Sequence, residues 1–222
     1  MKTDAVLFKH AARSRYSMKL KLWAKYVILT FCSYLMFYPI LWLFGSALKP
    51  NEEIPLPNLI PSVLHWENFR IGWTAIPGYS FTHFFSNSFF LAGVSVIGTV
   101  LSSAVVAFGF ARLEFPLKRL WFGILMLTLM LPSQVTLVPQ YILFKNFDWV
   151  GTMLPLIVPH FLAVSPFFVF LVVQFIRGIP KDLDESAKID GCSTIGIAFK
   201  VVLPLCTPAL ITTALFSFIW TW

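Results

Sequence analysis

The sequence has 222 residues, of which 58% are hydrophobic and only 12% are charged, and its formal net charge is +7. Soluble domains carry about a quarter of charged residues, so this composition excludes an ordinary water-soluble domain, a disordered chain and a disulfide-rich secreted module. Nucleic-acid binding is excluded as well, because the basic residues lie between apolar runs. Five charge-free runs are each long enough for a membrane helix of about 20 residues; they cover 26–48, 71–111, 120–144, 149–176 and 201–222.

The first run follows a basic segment, 1–25, which holds seven basic residues and one acid. Because basic flanks stay on the cytoplasmic side, we predict a cytoplasmic basic N-terminus and a first span over about 26–48 that runs outward. A cleaved signal peptide is the competing interpretation, since Gly45, Ser46 and Ala47 are small. The apolar region of a signal peptide is typically about 7–15 residues long, however, whereas the first apolar run of this chain has 23 residues.

Four further spans are predicted, over about 83–110, 120–142, 153–176 and 205–222. The second begins after the breaker Pro77-Gly78. The connecting segments include an extracytoplasmic loop, 49–80, and a cytoplasmic loop, 177–204. This topology leaves 14 basic residues inside and 3 outside, as the positive-inside rule favours. The predicted fold class is therefore an all-α membrane protein, a multi-span transmembrane helical bundle.

Small residues recur every fourth position in the second span, at Ser95, Thr99, Ser103 and Ala107. Such a stripe lets another helix approach closely. We therefore predict a tight helix contact there, in preference to a path for a substrate.

The last part of the third span contains Leu131-Pro132-Ser133-Gln134-Val135-Thr136, in which the proline frees a backbone carbonyl. Two interpretations stay open for the amides that follow, Gln134 and Gln140. They line a possible substrate path, or they cap an interrupted helix.

The five apolar runs contain no Asp, Glu, Lys or Arg, although ion-coupled carriers usually need an ionisable group at depth. His160 is interpreted as a hydrogen-bonded packing residue. No phosphate-binding loop is predicted either, because Thr99 stands where that motif requires lysine. The chain therefore has no catalytic residues, metal site or cofactor of its own in this interpretation, and the energy must come from another chain or an ion gradient.

The cytoplasmic loop predicts two short helices. Asp182 and Glu185 have capping-box spacing, with Asp182 at the cap, and Gly191 supplies a left-handed stop. Ser193 then caps a second helix that ends at Leu203-Pro204. A helix of two turns is marginal alone, so the first one should dock as a compact projection in the cleft of a partner.

The loop resembles the EAA loop of ABC importer permeases, written EAA-x3-G-x9-I-x-LP. Here it reads Glu185-Ser186-Ala187, Gly191, and Val201-x-Leu203-Pro204 with matching spacing. Further segments are similar to carbohydrate permeases of the maltose and multiple-sugar type. They are Ser46-Ala47-Leu48-Lys49-Pro50, Asn87-Ser88, the end of the second span from Ala107 to Arg112, Leu131-Pro132-Ser133-Gln134 and Ile189-Asp190-Gly191.

The resemblance implies a type I ABC importer permease with five spans present and a sixth apparently missing. It implies a bacterial plasma membrane location, a second permease subunit, two cytoplasmic ATPase subunits that hold ATP-Mg, and an extracytoplasmic sugar-binding protein. The ATPase-coupling residues would be those of the EAA loop and its flanks: Asp182, Asp184, Glu185, Ser186, Ala187, Asp190, Gly191, Leu203 and Pro204.

Three alternatives stay open at this point. One is an ABC permease for another polar solute such as glycerol phosphate, and another is a non-ABC secondary carrier or channel. The third is a membrane scaffold without transport activity. The outer loop 49–80, rich in proline and aromatic residues, is expected to meet the binding protein or the partner permease, or only to pack on itself.

Overall fold

The computed structural model describes the backbone of residues 2–222 and the side chains of 18, 19 and 21–222. The side chains of most of the basic segment 1–25 therefore lie outside the described residues. The chain divides into two compact units, Met1–Phe81 and Thr82–Trp222.

The first unit consists of α1 (Lys2–Ala47), a folded loop and α2 (Glu67–Trp73). The loop is held to the end of α1 by polar contacts. Lys49 is fully buried, and its Nζ donates to the Leu56 carbonyl at 2.9 Å. Asn68 donates to the carbonyls of Ala47 (3.1 Å) and Lys49 (2.9 Å). The loop 49–80 is thus partly ordered by its own hydrogen bonds.

The second unit contains nine helices and one π-helical turn in its described part, and they cover most of its length. In chain order they are α3 (Phe81–Arg112), α4 (Lys118–Leu129), α5 (Ser133–Asn146), α6 (Leu154–Phe161), α7 (Pro166–Arg177), α8 (Asp182–Ile189), α9 (Thr194–Ile197), the turn Ala198–Val202, α10 (Leu203–Leu205) and α11 (Thr207–Thr221).

Three helical segments are long and apolar enough to cross a membrane, Lys21–Ala47, Phe81–Arg112 and Leu154–Arg177. The number rises to five if each of two bent helix pairs forms one span. One pair is α4 with α5, which meet at 103°, and the other runs from Thr194 through Leu205 to α11, with a bend of 74°.

The predicted third span, 120–142, is therefore not one continuous helix. Pro132 has no N–H to donate and disfavours helical geometry at the residue before it, so the chain breaks between α4 and α5. The predicted fourth span, 153–176, corresponds to the segment Leu154–Arg177, which counts as one span. It consists of α6 and α7 with a short break between them, where Ala163 has a φ of +52° and Pro166 starts the next helix. The predicted fifth span begins near Leu205, and α11 starts two residues later.

The core of the second unit lies where α3, α7 and the segment α8–α10 meet. Its fully buried members include Ala107 of α3, Val173 and Ile176 of α7, and Val202 of the π-helical turn. Through these shared buried side chains, the helices of the loop 177–204 pack against α3 and α7.

Candidate functional site

The candidate site is built on α8, which begins at Asp182 and ends at Ile189. The predicted capping box is wrong. Lys181 is the N-cap, no side chain caps the helix, and Asp182 already lies in the first turn. The turn after Pro180 starts the helix one residue early, because the Lys181 carbonyl accepts from the N–H groups of Asp184 and Glu185. The three acids of the first turn still lie at the positive end of the helix dipole, which favours anions.

The end of α8 is a Schellman motif around Gly191, as the sequence predicts for a left-handed stop. Gly191 has a φ of +81° and its N–H donates to the Lys188 carbonyl at 3.0 Å. The next N–H, of Cys192, donates to the Ala187 carbonyl at 2.9 Å. These two bonds satisfy carbonyls that the helix end would leave free. Glycine is needed because an L side chain is strained at this φ.

The second helix, α9, begins with the predicted cap. Ser193 Oγ accepts from the Gly196 N–H at 3.1 Å. Because α9 leads into the π-helical turn, the chain between Gly191 and Leu203 is helical almost throughout. Only Asp190–Ser193 therefore separate α8, which ends in the Schellman motif, from the capped start of α9. This short connection leaves little freedom in the loop.

One face of α8 packs on the core, and the others are exposed. Ala187 is 8% exposed and belongs to the buried cluster. Its small side chain lets the helix backbone come close to the bundle. Leu183 and Ile189 are exposed apolar residues, so α8 presents a mixed apolar and charged surface outward. The exposed charged residues are Asp182, Glu185, Lys188 and Asp190.

A second contact holds α8 through charge. Asp184 Oδ2 lies 2.7 Å from Arg112 Nε, and the two side chains are 13% and 5% exposed. Arg112 also donates from Nη2 to the Ile179 carbonyl at 2.9 Å, just before α8. Neither Arg112 Nε nor Asp184 Oδ1 makes a hydrogen bond among the described residues, so this contact is a charge pair and not a directional hydrogen bond. The last turn of α3 is thus tied to the first turn of α8 by a buried ion pair.

Leu203 and Pro204, the last part of the EAA pattern, lie where the loop turns into the final helix. Pro204 cannot donate to the Lys200 carbonyl and its ring would crowd it, and the preceding residues Ala198–Val202 widen into a π-helical turn. Leu203 is half-buried and Pro204 exposed.

The small-residue stripe of α3 lies buried in the second unit. Ser95, Thr99, Ser103 and Ala107 are each 2% exposed or less. Beside them, a Cβ at Gly98 would come within 2.6 Å of the Phe161 ring on α6. The Phe161 ring of α6 therefore packs directly on the backbone of α3 at Gly98, and a larger residue there would require the ring to move.

His160 joins this stripe through a hydrogen-bond chain. Ser217 Oγ donates to Thr99 Oγ1 at 3.2 Å, and Thr99 Oγ1 is hydrogen-bonded to His160 Nδ1 at 2.8 Å. Ser102 Oγ donates to the His160 carbonyl, also at 2.8 Å. The histidine has a structural partner on α3, and the chain links α3, α6 and α11.

Gln134 and Gln140 lie on α5, and both side chains are exposed. The N-cap of α5 is Pro132 and no side chain caps this helix, so neither amide caps the interruption. Neither side chain belongs to the buried polar chain of His160. Their place on a substrate path stays a prediction.

Arg112 is the residue that the sequence analysis missed. It entered there only as one of the basic residues that set topology and as part of the family resemblance. The available signal is that Arg112 lies at the end of an apolar helix and that the loop 177–204, much later in the chain, holds four acids. Charge counting cannot say which acid lies near.

The described residues contain no group of three or more His, Cys, Asp or Glu side chains suited to a metal ion. Near the loop, the Lys118 ammonium hydrogen-bonds the Glu114 carboxylate at 3.0 Å and holds the pKa of that carboxyl below its usual value. Glu114 is exposed, so this pair is an ordinary surface contact.

Comparison with known protein families gives a match to residues 100–222, and the family is described as a binding-protein-dependent transport system inner membrane component. The chain is 35% identical over 185 residues to the trehalose transport system permease protein SugB of Mycobacterium tuberculosis, covering 83% of this chain and 66% of that protein. It is 33% identical over 186 residues to the probable ABC transporter permease protein YurM of Bacillus subtilis, with coverage of 83% and 61%.

A third relative is the arabinooligosaccharides transport system permease protein AraQ of Halalkalibacterium halodurans, 29% identical over 204 residues and covering 90% of this chain and 72% of that protein. The chain spans less than two thirds of the length of SugB and YurM. Among solved structures, a bacterial ABC transporter involved in the import of the acidic polysaccharide alginate superposes with a TM-score of 0.76 at 19% identity, covering 90% of this chain and 69% of that one. This likeness confirms the predicted fold class, an all-α bundle of the ABC importer permease kind.

Proposed function

Since this chain belongs to the family of binding-protein-dependent transport system inner membrane components, we propose that it is the membrane-spanning permease subunit of an ATP-driven importer that moves a sugar into the cytoplasm. The observation that carries the proposal is α8. It has the EAA spacing, a Schellman stop at Gly191, and a buried anchor on the bundle at Ala187.

The mechanism assigns α8 the role of coupling helix. A ligand shifts a two-state equilibrium only by its differential affinity for the two states. An ATPase that binds α8 can pass its difference in affinity for the two states to the bundle only if α8 moves with the bundle. The Schellman end of α8 and its packing on the core supply that stiffness. Its outward face, with Glu185 and Leu183, would fill the cleft of the ATPase.

The partners follow from the same role. The chain would pair with a second permease subunit and two cytoplasmic ATPase subunits that bind ATP-Mg, and would receive sugar from an extracytoplasmic binding protein. No catalytic residue or cofactor is assigned to this chain. The distribution of basic residues supports a bacterial plasma membrane topology with a cytoplasmic N-terminus.

A sugar is the preferred cargo because two of the relatives are named for trehalose and arabinooligosaccharide transport. Gln134 and Gln140, exposed on α5, are the proposed polar contacts of the path. The stripe on α3 is assigned to helix packing, since its side chains are buried against α6 and α11.

Copurification in mild detergent tests the proposal. We expect the chain to bring an ATPase and a second permease, and the associated binding protein to select a sugar in a ligand screen. The matched variants are Glu185→Lys, on the exposed face of α8, and Lys145→Glu, an exposed residue of the predicted outer side. Only Glu185→Lys should lose the ATPase. Recovery of the chain without any ATPase, or equal loss in both variants, would contradict the proposal.

A further inference from the structure

The buried ion pair between Arg112 and Asp184 is not explained by docking of α8 on a partner. Both side chains are almost fully enclosed, so neither is presented to an ATPase. Ionic groups are costly to bury, and apolar residues of similar size usually stabilise a fold as well or better. A buried pair is therefore weak evidence of a purely stabilising role.

The pair joins two helices at their ends. Arg112 lies in the last turn of α3 and Asp184 in the first turn of α8. Each charge lies at the helix end whose dipole favours it. Arg112 also donates a hydrogen bond to the Ile179 carbonyl. It therefore contacts the chain both before α8, at Ile179, and in the first turn of α8, at Asp184. In the described part of the chain, this is the one ion pair that links α8 to another helix.

The other end of this linkage is α3 itself. At about 1.5 Å per residue, the 32 residues of α3 span roughly 48 Å. Along that length α3 carries the buried contacts to α6 and α11, through Gly98 and Thr99. A displacement of α8 that is passed to Arg112 therefore reaches the packing interfaces of the whole second unit.

We propose that Arg112 is a positioning residue for transport: its ion pair with Asp184 makes α3 and α8 move as one body, so that motion of the coupling helix becomes motion of the bundle. The proposal rests on the proposed function. Ala187 gives α8 a non-directional apolar contact with the core. Arg112 adds a charge contact with Asp184 at 2.7 Å and a hydrogen bond to the Ile179 carbonyl at 2.9 Å.

The test removes the ion pair without leaving a buried charge. The double variant Arg112→Met with Asp184→Leu keeps apolar volume in the site, whereas Arg112→Met alone leaves the Asp184 carboxyl enclosed without its partner. A merely structural pair predicts that the double variant recovers both assembly and transport. Our proposal predicts that it recovers assembly, while sugar imported per ATP hydrolysed, measured in proteoliposomes from complexes purified with the ATPase bound, falls about tenfold.

The control is the pair formed by the exposed Glu114 and the half-buried Lys118. Changing them together to Gln and Met should leave that ratio unchanged. Arg112→Lys keeps the positive charge but loses the planar guanidinium that contacts Asp184 and the Ile179 carbonyl at the same time. It should therefore give an intermediate ratio of sugar imported to ATP hydrolysed. A wild-type ratio in the double variant would overturn the role of Arg112 and leave the proposed function standing. Failure of the wild-type chain to bind any ATPase would overturn the proposed function instead.

Discussion

The replacement of Gly191 by Ala tests whether the end of α8 must be formed for transport. Nothing lies within 4 Å of a Cβ built at this position, so the substitution introduces no clash and acts through the backbone alone. At a φ of +81° an L residue is strained by about 1–2 kcal/mol. Loss of chain entropy in the unfolded state offsets about 0.4–1 kcal/mol of this. The net cost is on the order of 1 kcal/mol, about a fivefold drop in the ratio of formed to unformed helix ends.

The assay combines two readouts on the assembled transporter. Hydrogen exchange at the Cys192 amide, which donates to the Ala187 carbonyl, should speed up about fivefold in Gly191→Ala, and coupled import should fall with it. Gly191→Asn should restore much of both, because Asn adopts the left-handed conformation more readily than Ala.

The matched control is Gly151→Ala. Gly151 has a φ of +88° and also has no atom within 4 Å of a built Cβ, so it carries the same strain outside the loop. We expect import to survive this change. If Gly191→Ala kept wild-type exchange and import, or if Gly151→Ala were equally harmful, the reasoning about α8 would be refuted.

Three further predictions concern packing and protonation. Gly98→Leu should destabilise the bundle by about 1–3 kcal/mol through overpacking, seen as a lower thermal midpoint in detergent; an unchanged midpoint would contradict the close approach to α6. Thr99→Val should cost about 1–3 kcal/mol because it strips a hydrogen bond from His160, and wild-type stability would disprove that link. Hydrogen bonds from the Ser62 hydroxyl and N–H hold the pKa of the Glu53 carboxyl below its usual value. This contribution is present above the unfolded pKa of about 4.3 and disappears as the pH falls through the lower folded pKa. Amide exchange in 53–62 should therefore speed up at acid pH, and Ser62→Ala should move that transition to higher pH, as NMR titration would detect.

The parts of the site that the sequence predicted are those set by neighbouring residues. Gly191 ends α8 and Ser193 caps α9 because turn and cap chemistry act over three or four positions. The start of α8 was missed by one residue, because the capping-box spacing at Asp182 competes with a backbone turn from Lys181 that uses no side chain.

The parts that the sequence could not predict depend on contacts between distant segments. Asp184 is one of four acids in the loop, and only the packing of α8 against α3 selects it as the partner of Arg112. Pro132 signals a break, but the 103° angle between α4 and α5 is a property of how the two helices pack. His160 was interpreted correctly as hydrogen-bonded, while its partner Thr99 was not identified.

The central claim is that α8 is the contact through which an ATPase acts on this chain. The most direct measurement places a photoreactive side chain at Glu185, or at the exposed Lys145 as control, in membranes that actively take up sugar. The account predicts a crosslink to the ATPase from position 185 and none from position 145. A chain that supports uptake yet gives no ATPase crosslink from position 185, or gives equal crosslinks from both positions, would contradict it.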